Sequence, residues 1–110
     1  MWRAPREVAV TSYVRELYPH ARKRHYHETR RGVVVDFVVQ LEVLFRGRWV
    51  PIVRYDMAHG TPHVDRYETP TTRTKTQLDM TPAEALTLAD ADVNEHWLSY
   101  RQTFPEGNRP

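Results

Sequence analysis

Residues 54–66 read Arg-Tyr-Asp-Met-Ala-His-Gly-Thr-Pro-His-Val-Asp-Arg, so Asp56, His59, His63 and Asp65 fall within ten residues between two arginines. Imidazole gains and loses a proton near neutrality, and a neighbouring carboxylate can select its tautomer. A guanidinium such as Arg54 can neutralise charge developing on a phosphoryl oxygen. These are the parts metal-free RNA cleavage needs: a base for the 2′-hydroxyl, an acid for the leaving oxygen, and a cation. Arg54, Asp56, His59, His63 and Asp65 are therefore the candidate catalytic residues. On a strand over 62–68, His63 and Asp65 share a face and suit a base and its orienter. Two other readings of the segment stay open. Asp56 can cap a structural turn with Arg54 paired to a sheet carboxylate, or the histidines and aspartates can ligate zinc or manganese. Gly60 and Pro62 argue against the helical zinc pair, and no metal or cofactor is expected.

A second cluster lies upstream. Residues 1–32 carry a net charge of +5 and the rest −3, which together make the chain's +2. Arg22, Lys23, Arg24, His25, Tyr26, His27, Arg30 and Arg31 interleave cations with rings, the composition of a surface that binds phosphates and stacks on unpaired bases. They are the candidate nucleic-acid-binding residues. The competing reading is a solvated charged strand beside an acidic neighbour, for which the helix carrying Glu84, Asp90, Asp92 and Glu95 is available in a symmetric dimer. His96 reads as a packing histidine.

The elements that must position these groups follow from periodicity. Val33 to Phe45 is apolar at every odd position and mixed at even ones, a strand with one face committed to a core and the other half-covered. Arg46-Gly47 turns it back into Trp49–Asp56, where Pro51 requires an edge-like or bulged position. Residues 62–68 and 72–78 read as short strands joined at Thr69-Pro70, and Arg24 to Glu28 as a further one turning at Arg30-Arg31-Gly32. Val10, Tyr13, Val14 and Leu17 recur at helical spacing and predict a short helix over about 6–18. Thr81-Pro82-Ala83-Glu84 is a capping box with proline at the first helical position. From it Leu86, Ala89, Val93, Trp97, Tyr100 and Phe104 form a stripe that should lie across the sheet, with Pro105 as the stop. The expected fold class is α+β: an antiparallel meander of four or five strands, a long C-terminal helix packed across it, and a short N-terminal helix.

The chain's 110 residues are one domain's worth, with a core about residues 33–104, a basic segment 1–32 and a frayed tail over 106–110. At 40% hydrophobic and 27% charged the composition is globular. Asp36, Gln40 and Glu42 break the longest apolar run, so no membrane span or membrane partner is expected. The first residues lack a hydrophobic signal core, and the absence of cysteine suits a reducing, cytoplasmic setting and excludes thiol chemistry. No phosphate loop, dinucleotide fingerprint or nucleophile elbow is present.

The run from Val53 to Asp65, followed by Glu84-Ala85-Leu86, Trp97 and Tyr100, resembles a family of small uncharacterised bacterial and archaeal proteins. Their pattern is R-Y-D-x-A-H-G-x-x-H-x-D with a closing helix ending W-x-x-Y. More loosely, Arg54-Tyr55-Asp56 with His59 and His63 is similar to the core of TumE-type toxins of two-gene toxin–antitoxin systems. Met57 stands where that pattern has asparagine, and Asp65 follows the second histidine where it has another histidine. The resemblance implies a prokaryotic cytoplasmic protein encoded beside a DNA-binding partner. The functional expectation is a toxin-like protein acting on RNA, a homodimer with an antitoxin-like partner. The alternative is a non-catalytic module binding nucleic acid or protein, with a regulatory role.

Overall fold

The computed structural model describes residues 7–17 and 20–104. Six strands follow one another in a single antiparallel sheet ordered as in the sequence: β1 (Val8–Leu17), β2 (Ala21–Arg30), β3 (Val33–Phe45), β4 (Arg48–Asp56), β5 (His63–Thr69) and β6 (Thr72–Gln77). A one-turn 3₁₀ segment, Ala58–Gly60, links β4 to β5, and the helix α1 (Pro82–Thr103) closes the fold. The class is α+β, with six strands where four or five were expected.

The expected N-terminal helix is a strand instead. The described part of that stretch, Val8–Leu17, pairs with β2 through ten consecutive positions without a register shift. The helical spacing of Val10, Tyr13, Val14 and Leu17 has no core to face: of β1 only Leu17 is buried. A helix there would leave its apolar stripe in water, whereas pairing satisfies the backbone whatever the side chains bury, and the β-branched Val8, Val10, Thr11 and Val14 favour extended backbone. The ends of that expected helix, Pro105 and the 106–110 tail lie outside the described residues.

Two of the hairpins turn on an arginine–glycine pair. Arg31-Gly32 and Arg46-Gly47 all have positive φ (51° and 79°, 49° and 78°), the mirror-image turn whose twist matches paired strands. Pro51 falls at a register shift in the β3–β4 ladder, where Leu41 pairs with Val53 and Glu42 with Pro51, so Ile52 is the extra residue.

The odd positions of β3 make the core. Phe37, Val39, Leu41 and Val43 are fully buried, with Val53, Tyr55 and Val64 beside them and Ala85, Ala89 and Val93 of α1 above. The small residues at every fourth position let the helix backbone lie close on the sheet, while Leu86, Trp97 and Tyr100 pack along its flanks. The Thr81 hydroxyl accepts from the Glu84 amide while the Glu84 carboxylate accepts from the Thr81 amide, as the capping box requires. Asp92, mid-helix, accepts hydrogen bonds from the Tyr55 hydroxyl (2.6 Å), the Tyr100 hydroxyl (2.7 Å) and His96 Nδ1 (3.0 Å). His96 is thus a partner of the helix's own carboxylate. No helix among the described residues is long and apolar enough to cross a membrane.

Candidate functional site

Period-two alternation divides the sheet's polar residues between its faces. On β2, Lys23 and His25 point toward α1, so Arg22, Arg24, Tyr26 and Arg30 point to the face the helix leaves open. Register carries that face across the sheet. Arg24, Gln40, Arg54, Asp65 and Lys75 form one cross-strand row; Tyr26, Val38, Asp56, His63 and Gln77 form the next. Four of the five candidate catalytic residues therefore occupy a two-by-two block, with Arg54 opposite Asp65 and Asp56 opposite His63.

Within this block the hydrogen bonds are specific. Arg54 Nε donates to Asp56 Oδ2 at 2.7 Å and its Nη1 donates to Gln40 Oε1 at 2.9 Å. The other Asp56 oxygen accepts from the Ala58 amide at 3.0 Å, which ties the following turn to the strand end. Burial raises the proton affinity of Asp56, but the bonds from Arg54 and Ala58 outweigh it and hold the carboxyl below its ordinary value. Glu42, 5% exposed, follows the same pattern: burial pulls it up, and bonds from Arg22, Arg24 and Gln40 hold it down.

His63 is buried, and its Nδ1 sits 2.8 Å from the Thr61 carbonyl. A carbonyl only accepts, so Nδ1 carries the proton and Nε2 is the acceptor in the neutral ring. The orienter of His63 is therefore this main-chain carbonyl, and Asp65 is engaged elsewhere. Asp65, 2% exposed, lies 3.5 Å from Arg73 and 3.4 Å from Lys75 on β6, and its Oδ1 has no hydrogen-bond donor among the described residues. His59 is exposed on the 3₁₀ turn, held at φ 59° with Gly60 at 82°. The two imidazole rings stand edge to face with centroids 6.5 Å apart. A hollow of about 520 Å³ adjoins the turn, bounded by Glu28, Arg30, Val35, Asp36, Met57 and Gly60.

The upstream cluster does not form a single surface. Arg22 and Arg24 lie on the open face bonded to Glu42, with the Arg22 guanidinium also 4.3 Å over the Trp49 ring. Tyr26 and Arg30 share Glu28, and the exposed Arg31 pairs with Glu7. Lys23, His25 and His27 sit on the helix side. Lys23 is 2% exposed and bonds Asp90 at 2.6 Å and Asn94 at 3.1 Å. His25 meets Asp90 at 3.2 Å through Nδ1 and His27 Nδ1 at 2.7 Å through Nε2, and stacks on Tyr13 with centroids 4.6 Å apart. The acidic neighbour expected from a second copy is thus supplied by the chain's own helix.

Sequence reasoning passed over Gln40, Glu42, Arg73 and Lys75, which complete the open face. Their signal was the polar even positions of β3 and the charged residues of β6, legible as a site only once register sets them beside Arg54 and Asp65. Among the described residues, no group of three or more histidine and acidic side chains is placed to hold a metal ion. A family model for a domain of unknown function, DUF7718, matches residues 5–110. Neither a curated protein nor a solved structure matches the chain.

Proposed function

The chain belongs to the DUF7718 family, a domain of unknown function, and on that premise we propose that it acts on single-stranded RNA, cleaving it without a metal at the His59–His63 turn. The observation that carries this reading is the pair of imidazoles with centroids 6.5 Å apart, one exposed and one locked in a single tautomer. In this reading a phosphodiester spans the outer edges of the two rings, within about 3 Å hydrogen-bond reach of each. His63 Nε2 takes the proton of the 2′-hydroxyl, whose oxygen attacks phosphorus. Protonated His59 gives its proton to the departing 5′-oxygen, leaving a 2′,3′-cyclic phosphate and a free 5′-hydroxyl. Arg54 faces the developing charge with the terminal nitrogen that Asp56 and Gln40 leave free. Asp56 holds Arg54 and the turn in place, and Asp65 anchors the cations of β6. Arg22, Arg24 and Arg30, with Tyr26, supply the track along which the strand approaches.

The test uses the full chain, a single-stranded RNA and excess chelator. The expected result is cleavage with cyclic-phosphate ends, lost in both His59→Asn and His63→Gln. Cleavage retained in both variants overturns the assignment, and cleavage abolished by chelation alone moves the site to a metal mechanism.

One observation favours a second reading, a binding module without turnover. The open face's cations already meet carboxylates: Arg22 and Arg24 on Glu42, Arg30 on Glu28, Arg54 on Asp56, Arg73 and Lys75 on Asp65. A phosphate backbone or an acidic partner protein such as an antitoxin-like chain would exchange with these pairs. RNA bound with steep salt dependence and no product would select this reading.

A further inference from the structure

We propose that β1 is a self-association edge: two copies pair their Val8–Leu17 strands antiparallel about a two-fold axis at Ser12, joining both sheets into one. The inference is independent of any activity on RNA.

The sheet has two edges, and they are built differently. β6 is short and carries Arg73 and Lys75, and a register shift between Tyr67 and Thr69 disturbs its ladder with β5. Charged side chains and irregularities of this kind keep an edge from recruiting another strand. β1 is less protected: its two charged residues, Arg15 and Glu16, are adjacent at one end, and the rest of the strand carries none. It runs ten residues, about 34 Å at the rise of an antiparallel strand, without proline, glycine or a register shift. Its exposed side chains include Val8, Val10 and Val14 at 43%, 56% and 47% exposure. All three are even-numbered, so they form one apolar row on the open face beside the charged residues of β2.

The backbone sets the register. The Arg31 amide donates to the Glu7 carbonyl at 2.8 Å, so in the unbroken β1–β2 ladder the odd residues of β1 turn their N–H and C=O toward β2. The even residues then present theirs outward. Two copies meeting at this edge must pair even residues with even residues. Centring the axis on Ser12 satisfies that rule and pairs residues 8 to 16 throughout. It sets Val10 against Val14 of the second copy on both sides of the axis, and Ala9 against Arg15, so that no like charges face each other. The axis stands perpendicular to the sheet, so both helices lie on one side and both open faces form a continuous surface on the other.

Light scattering on the full chain should give twice the 13.0 kDa mass of one chain. Ser12→Pro removes an outward-facing amide hydrogen and spares the β2 ladder. It should give a monomer with an unchanged far-ultraviolet circular dichroism spectrum. The chain has no cysteine, so Ser12→Cys provides a lone thiol. Opposed residues at a hydrogen-bonded site have Cα atoms about 5.5 Å apart, within disulfide reach. This variant should cross-link into a dimer on mild oxidation, and Thr74→Cys on β6 should not. A wild-type monomer, a dimer that survives in Ser12→Pro, or cross-linking through Thr74→Cys in place of Ser12→Cys overturns the proposal. Should Ser12→Pro fail to fold, the cross-linking pair decides alone.

Discussion

The ammonium of Lys23 lies 2.6 Å from the carboxylate of Asp90, joining the inner face of β2 to the middle of α1. Lys23 is nearly inaccessible while Asp90 stays about one-third exposed. The pair, with His25 on the same carboxylate, turns part of a conspicuously basic segment into an internal fastening.

Removing one member of such a pair leaves a buried charge without its counterion. Asp90→Ala should therefore destabilise the protein by about 2–4 kcal/mol, the lower part of the range reflecting solvent access to Asp90. Lys23→Met, which deletes the buried charge itself, should cost less. Urea denaturation of the two variants at neutral pH checks the order.

Acid should weaken the fold in two stages. Burial lowers the His25 pKa below 6.5 and outweighs the pull of Asp90, so the unfolded chain takes up a proton there before the folded one. That contribution is complete above pH 6.5 and is lost as pH falls through the lowered value. Glu42 and Asp56 are held below their ordinary 4.5 and 3.8. Their contributions are present above those values and are lost on further acidification. Midpoints of chemical denaturation measured from pH 8 to 3 should show both stages, and His25→Phe should remove the upper one.

Asp92 gathers two tyrosine hydroxyls, and Tyr55 is 2% exposed. Tyr55→Phe should cost about 1.5–3 kcal/mol, as expected for a hydrogen bond to a charged group. Tyr55→Phe with Tyr100→Phe should cost more than the sum, because the carboxylate then loses both hydroxyl donors together and keeps only the hydrogen bond from His96. A double-mutant cycle by thermal or urea unfolding measures the coupling.

His59 occupies left-handed backbone, which costs a side-chain-bearing residue about 1 kcal/mol or more relative to glycine. His59→Gly should raise the melting temperature slightly, and His59→Asn should be close to neutral because asparagine tolerates this region. His59→Ala should lower it relative to glycine. A loss of RNA cleavage in His59→Asn without a change in melting temperature would then report on the imidazole.

The strongest local signals in the sequence correspond to what folds. Alternation from Val33 to Phe45 marked the central strand, Arg46-Gly47 the reversal, Pro51 the irregularity, and Thr81 to Glu84 the helix start. Each rests on residues within a few positions of one another. The stretch before Leu17 read as helix because the spacing of Val10, Tyr13, Val14 and Leu17 is compatible with it. What overrode that spacing was β2, a full-length edge that lies beyond any local window.

The candidate site divides in the same way. Spacing alone brought Arg54, Asp56, His59, His63 and Asp65 into one segment and placed His63 and Asp65 on one strand face, because side-chain direction along a strand follows from parity. Whether the basic residues at 22–31 act together depended on that parity too: the packed helix assigned Lys23 and His25 to Asp90, and the neighbouring strand β3 assigned Arg22 and Arg24 to Glu42. The tautomer of His63 rests on a carbonyl two residues away, and the burial of Asp65 on strands that flank it. Sequence by itself determined which groups were near each other along the chain and how each strand alternates. Only the tertiary structure decided which face the helix covers and which carboxylate each cation meets, because those depend on register and packing between segments far apart in the chain.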